Sequence, residues 1–141
     1  GWRERGARSG SDDAGDRAGG VSASCYADAA ELIAQADLVV NATPLGMKAG
    51  DPAPFDGALL HKGQWAFDCV YGHGATAFAT AAQAAGCRAY DGAGMLVGQA
   101  VETVRIVERA VGAEIAIDDD RLFELMADAA GFSLTPQPEV R

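Results

Sequence analysis

The sequence contains no run of about 18 consecutive apolar residues, so it holds no helix able to cross a membrane. Cysteine is sparse: Cys25, Cys69 and Cys87 are odd in number and widely spaced. They make no CxxC pair and no Cys/His ligand pattern, which excludes a zinc module and a disulfide scaffold. Reduced thiols in a cytoplasmic protein are the expectation. Basic residues are also in short supply, with 11 Lys plus Arg against 20 Asp plus Glu and a net charge of −9. An acidic surface repels phosphate backbones, so neither nucleic acid nor an anionic membrane is an expected partner. A local basic pocket for one anionic cofactor stays compatible with that balance. The opening Gly1-Trp2-Arg3-Glu4-Arg5 has no initiator Met and no hydrophobic signal core, so the chain reads as a fragment or a processed product.

What is present is the composition of a folded domain. Of 141 residues, 49% are hydrophobic and 22% charged, within the range of one soluble globular unit. Residues 1–20 differ from the rest: six are Gly, and Trp2 is the only large apolar side chain. Four Arg balance four acids there. Such an arm cannot bury enough apolar surface to offset its ordering entropy and is expected to be disordered.

The pattern changes at Val21. Val21-Ser22-Ala23 reads as a short strand. Asp28 reads as a helix N-cap with Glu31 as its capping-box partner, opening a helix over 28–35. Asp37–Thr43 reads as a buried strand stopped by Pro44 and Gly46. Residues 44–63 read as a loop with one helical turn near Phe55–Leu60. A strand follows over Trp65–Tyr71, then an Ala-rich helix over Ala75–Ala85 stopped by Gly86. Cys87–Asp91 is a third strong strand. Gly92-Ala93-Gly94 opens a long helix whose expected buried stripe is Leu96, Ala100, Val104, Val107 and Val111. A last helix starts near Asp118-Asp119-Asp120, acids that suit a helix N-terminus better than a metal site. It carries Leu122, Phe123, Leu125, Met126 and Ala129 and ends at Gly131. The division is an arm at 1–20, an α/β domain at 21–132 and a loose tail at 133–141. Alternating strands and helices imply a parallel sheet with helices on both faces.

In such sheets ligands lie beyond the C-terminal strand ends. Three polar clusters fall there. Asn41-Ala42-Thr43-Pro44-Leu45-Gly46-Met47 offers an amide and a hydroxyl, or else a turn in which both side chains satisfy local backbone. Asp68-Cys69-Val70-Tyr71 offers a carboxylate and a phenol, with Cys69 a small filler rather than a nucleophile. Asp91-Gly92-Ala93-Gly94-Met95-Leu96-Val97-Gly98-Gln99 places glycines at a helix N-terminus and an amide further along it. Its GxGxxxG spacing is not a dinucleotide fingerprint. His61 and His73 are isolated and read as surface residues.

Together the three clusters resemble the shikimate dehydrogenase family, over about 110 residues from Val21 to Phe132. The pieces that carry the resemblance are Ala36–Met47, Phe67–Tyr71 and Asp91–Ala100. It implies a two-domain oxidoreductase, of which this chain resembles the C-terminal Rossmann-like part: an α/β fold with a partial parallel sheet and flanking helices. It implies reversible hydride transfer between NADPH and 3-dehydroshikimate, giving shikimate, in the aromatic amino acid (chorismate) pathway. By resemblance Asn41, Thr43, Cys69 and Gly92 bind the cofactor NADP, and Tyr71 and Gln99 hydrogen-bond the small-molecule substrate. Neither Lys48 nor Lys62 lies in a segment like the family's catalytic-lysine motif, so no catalytic and no metal-binding residue is assigned. The glycine-rich turn and the segment that grips the 2′-phosphate have no counterpart. Truncation, or an upstream frame change that supplied the 1–20 arm, is the expected origin of that gap. Little or no activity is expected of the chain alone. The alternatives are a non-catalytic α/β remnant or partner-binding module, with self-association through an exposed sheet edge, and a quinate/shikimate dehydrogenase.

Overall fold

The computed structural model describes Gly20 and residues 23–133. All of the expected arm except Gly20, and the tail from residue 134, lie outside the described residues. So do Val21 and Ser22 of the expected first strand, while Ala23 is irregular.

A 3-10 turn at Tyr26–Asp28 leads into α1 (Ala29–Gln35), then β1 (Leu38–Asn41). After a long loop with a 3-10 turn at Gly57–Leu59 come β2 (Trp65–Asp68), α2 (Ala77–Ala84), β3 (Arg88–Tyr90), α3 (Ala93–Val111) and α4 (Asp119–Ala129). The three strands form one parallel sheet in the order β1-β2-β3. Its register places Asn41 opposite Asp68 and Phe67 opposite Tyr90. Every strand therefore ends at the same side of the sheet, where the polar clusters begin.

Alternation along the strands decides the packing. Val39, Ala66 and Ala89 point to one face and join Leu60, Phe78 and Ala82 in the core. Phe55 meets the Phe78 ring edge-on at 5.7 Å. Ile33 and Ala36 close that core from the α1 side. The opposite face carries Leu38, Val40, Trp65 and Tyr90, each 41–53% exposed. Helices thus cover one face of the sheet among the described residues, where cover on both was expected. Trp65 and Tyr90 instead shield each other, stacked at 5.6 Å, with the Arg88 guanidinium 4.9 Å above the indole.

Two local expectations are corrected. Asp28 makes no side-chain cap bond to α1. It already has helical backbone (φ −94, ψ −1), so its carboxylate cannot swing back over the first turn and accepts from the Cys25 thiol instead. The buried line of α3 is Ala93, Val97, Val101 and Glu108, whereas Val107 and Val111 of the expected stripe are 52% and 67% exposed. The neighbour of α3 is α4, with the Phe123 ring lying against Gly98. On α4 the buried residues are Leu122 and Ala127, while Leu125 and Ala129 are exposed.

Gln64 fastens the end of α1. It is 1% exposed, and its amide nitrogen donates to the carbonyls of Ile33 and Ala36 at 2.7 and 2.8 Å. The Ile33 carbonyl also accepts from the Ala36 N–H at 3.3 Å, so Gln64 adds a second donor at the helix end, where carbonyls run short of partners. His61 adds a ring-nitrogen contact to the Ala34 carbonyl at 3.0 Å, which makes it a structural clasp.

Candidate functional site at the strand tips

The tips of β1 and β2 are joined by a buried polar network. Asn41 and Asp68 are 2% and 1% exposed. The Asn41 amide nitrogen donates to Asp68 Oδ1 at 2.9 Å and to the Leu45 carbonyl at 3.1 Å. Its amide oxygen accepts from the Thr43 hydroxyl at 2.7 Å and the Thr43 N–H at 3.1 Å. Asp68 also accepts from the Val70 N–H at 3.1 Å and from the Thr76 hydroxyl at 2.5 Å. Thr76 in turn caps α2 by accepting from the Ala79 N–H. One carboxylate therefore ties together the turn after β1, the turn after β2 and the start of α2. Buried polar groups need such partners, because an unmet one costs a full desolvation penalty.

The loop after β1 is shaped by the same cluster. Gly46 has φ 108, and a Cβ there would stand 2.8 Å from Thr76 Cγ2, so the loop lies directly on Thr76. Asp51 accepts from the Lys48 and Gly46 N–H groups, each at 3.0 Å. Those bonds, the Lys48 one first, hold its carboxyl below the usual carboxylate range.

The tip of β3 is pressed onto the tip of β2. The Gly92 N–H donates to the Val70 carbonyl at 3.2 Å. A Cβ on Gly92 would lie 2.4 Å from the Cys69 carbonyl oxygen and 3.2 Å from the Tyr71 ring. Gly92 lacks a side chain because protein backbone fills that space. Gly94 is different: nothing lies within 4 Å of where its Cβ would be. It borders a cleft of about 840 Å³ lined also by Gly72, Thr76, Asp91, Met95, Phe123 and Phe132.

The six residues assigned by resemblance thus fall into two groups. Asn41, Thr43, Cys69, Tyr71 and Gly92 are joined through hydrogen bonds and direct packing at adjacent strand tips. Within that group Asn41 spends its whole amide on protein, as in the turn reading of its cluster. Thr43 forms a turn, accepting from the Leu45 N–H at 3.2 Å. Cys69 gives its N–H to the Asn41 carbonyl at 3.0 Å and turns its carbonyl to Gly92. Tyr71 is 39% exposed, so part of it meets solvent. Gln99 stands apart, an exposed residue of α3. Seven residues beyond Gly92, it lies on the same helix face about 10 Å along the axis. None of the six lines the 840 Å³ cleft, although their neighbours Asp68, Val70, Gly72, Asp91 and Ala93 do.

Thr76 and Gln64 lie outside the three polar clusters of the sequence. Thr76 had a legible signal, a Thr immediately before an apolar helix. Gln64 had none, because the two carbonyls that its amide nitrogen meets belong to Ile33 and Ala36, about 30 residues upstream. No group of three or more metal-ligating side chains occurs among the described residues. No described helix is long and apolar enough to span a membrane.

No protein-family model matches the chain. A quinate/shikimate dehydrogenase (NAD(+)) of Corynebacterium glutamicum strain R is 45% identical over 76 residues, covering 54% of this chain and 27% of that protein. A shikimate dehydrogenase (NADP(+)) of Streptomyces avermitilis is 42% identical over 76 residues, 54% of this chain and 26% of that protein. Among solved structures, the quinate dehydrogenase from Corynebacterium glutamicum in complex with NAD superposes with a TM-score of 0.59 at 36% identity. It covers 72% of this chain and 34% of that one. The chain spans about a quarter of the length of the curated relatives it matches. Over its matched part it is homologous to shikimate and quinate dehydrogenases. Its three-stranded parallel sheet with flanking helices matches the Rossmann-like fold of the structural neighbour.

Proposed function

We propose that this chain forms part of the cofactor-binding half of a dehydrogenase that interconverts shikimate, or a related cyclic polyol, with its ketone. The observation that carries the reading is the meeting of Tyr71 and Gly92. Two tips from distant parts of the sequence come together at the C-terminal end of a parallel sheet, where such folds bind ligands.

The nicotinamide cofactor supplies or accepts the hydride. The residues present fit it at one place, the start of α3, where the open space at Gly94 lets a flat ring approach backbone. Thr43 and the Pro44–Met47 loop flank that region in our reading, and Gly92 and Cys69 fix its floor through their backbones. The Tyr71 hydroxyl and the Gln99 amide serve as hydrogen-bonding handles for substrate hydroxyls. Asn41 acts from behind, by holding Thr43 and Asp68.

Reduction of a ketone also needs a proton donor for the developing alkoxide. Lys48 and Lys62 are both exposed loop residues, and His61 is engaged by backbone carbonyls. The reading is therefore of a binding half, with little or no turnover by the chain alone. NADP follows from the resemblance, and the relatives include enzymes named for NAD(+) and for NADP(+).

Calorimetric titration of the purified chain with NADP and with NAD, beside a shikimate-dependent reduction assay, tests this. Saturable binding of one dinucleotide, weakened by Gly94→Ala, with no measurable turnover is the expected result. Absence of binding to either would leave the second reading, a non-catalytic remnant that associates with itself. The exposed apolar face of the sheet is the observation that favours that reading.

A further inference from the structure

Tyr71, just beyond the tip of β2, is both partly exposed and packed. One side of its ring lies over Gly92. Phe132 meets it edge to face, with ring centroids 6.1 Å apart and planes at 88°. Such pairs fix ring orientation as well as adding attraction.

Phe132 is aimed there by the end of α4. Gly131 takes φ 75, its N–H donates to the Asp128 carbonyl at 3.0 Å, and the Phe132 N–H donates to the Ala127 carbonyl at 2.9 Å. This paired closure turns the chain back sharply after the helix and needs a glycine at the turning point. Further along, α4 is fixed to α3 by the Arg105–Asp119 ion pair at 2.7 Å and by the Phe123 contact at Gly98. The orientation of Tyr71 is thus set by an element that begins nearly fifty residues later in the sequence.

We infer that Phe132 is the positioning residue of Tyr71, and that the α4 terminus is the device that holds it in place. Its consequence for ligand binding rests on the dehydrogenase reading above. On that reading, Phe132 holds the phenol toward a cyclic polyol without touching the polyol itself.

The test uses the full chain with ¹³C-labelled tyrosine, the Tyr71 signals being assigned through Tyr71→Phe. Phe132→Ala and Phe132→Leu are expected to move the Tyr71 ring signals and leave those of Tyr26 and Tyr90 in place. Phe132→Trp, which restores a ring, is expected to return Tyr71 toward its original environment. The leucine variant keeps most of the volume, so the comparison survives if the alanine variant unfolds. Unmoved Tyr71 signals in the leucine variant overturn the inference. Titration with shikimate then separates it from the broader reading. A loss of about three- to tenfold in shikimate affinity for Phe132→Leu supports both. Equal affinity for the wild type and Phe132→Leu overturns the positioning role. A wild type that ignores shikimate, while Phe132→Leu still moves the Tyr71 ring, removes Tyr71 as a substrate handle of this chain and leaves the positioning of the phenol standing, whereas the dehydrogenase reading itself falls only with the dinucleotide titration.

Discussion

Gly92 and Gly94 sit two residues apart and have opposite reasons to be glycine. At Gly92 an added methyl would strike the carbonyl group of Cys69, which is backbone and cannot move aside. Gly92→Ala is therefore expected to cost about 1–3 kcal/mol, read as a lower denaturation midpoint. Gly94→Ala meets nothing and lies in the first turn of α3. It should leave stability unchanged or raise it by up to about 1 kcal/mol, because alanine favours the helix. A Gly92→Ala variant as stable as the wild type would show that the two tips do not touch. The sequence displayed both glycines and their place at a helix start. It held no sign of which one faced protein, because Cys69 lies over twenty residues upstream and nothing local encodes its carbonyl. Asn41 shows the same boundary. Its position at a strand end was readable, but its commitment to Asp68 and Leu45 appears only when strands pair. Thr76 was readable in principle, and starting α2 at Ala75 hid it.

At the scale of elements, α3 was expected to bury one stripe and buries another. Apolar residues recur at four-residue intervals in two adjacent lines, Leu96-Ala100-Val104 and Ala93-Val97-Val101. Periodicity states that a helix has an apolar face but cannot choose between neighbouring lines before its partner is known. The buried line also contains Glu108, which no hydrophobic pattern would select. Its burial is explained by its partners: Arg105 Nη1 donates to it at 2.9 Å, and the Ile115 N–H donates to its other oxygen. Arg105 reaches further, to Asp119 at 2.7 Å and the Ile117 carbonyl at 2.5 Å, so one guanidinium closes the α3–α4 turn. The Arg105 bond, then the Ile115 N–H, holds the Glu108 carboxyl below the usual carboxylate range. A carboxyl with a depressed folded-state value stabilises the fold above its unfolded value and loses that contribution as pH falls through the folded one. The turn should accordingly be closed at neutral pH and loosen below about pH 4. The protection factor of the Ile115 amide, followed by hydrogen exchange between pH 6 and 3, should fall over that range. In Glu108→Gln it should already be low at pH 6 and change little on acidification. A wild-type protection factor that stays flat to pH 3 would remove Glu108 from the account.

For the whole molecule, the alternation of strands and helices was legible, and so were the parallel sheet and the gathering of polar residues at one end. Short apolar segments separated by helical ones allow few other arrangements. The number of covered faces was not legible. Strands with apolar residues at every position look buried on both sides, as Leu38-Val39-Val40 and Trp65-Ala66-Phe67 do. The described structure covers only the face of Val39, Ala66 and Ala89. Leu38, Val40, Trp65 and Tyr90 remain exposed on the other, and the outer edge of β1 is unpaired among the described residues. A contiguous apolar surface next to an open strand edge is a docking surface for a second copy unless other chain covers it. The isolated chain should therefore self-associate at micromolar concentrations, seen as a concentration-dependent sedimentation coefficient. Leu38→Lys combined with Val40→Lys places charges on that surface without entering the core, and should shift the chain to monomer with its helical content unchanged. The net charge of −9 opposes association between copies. Added salt screens that repulsion and should strengthen self-association if the contact is apolar, whereas an ionic contact would weaken. A wild-type chain that stays monomeric at every concentration and salt level would mean that this face is closed by residues outside those described, and the remnant reading would lose its support.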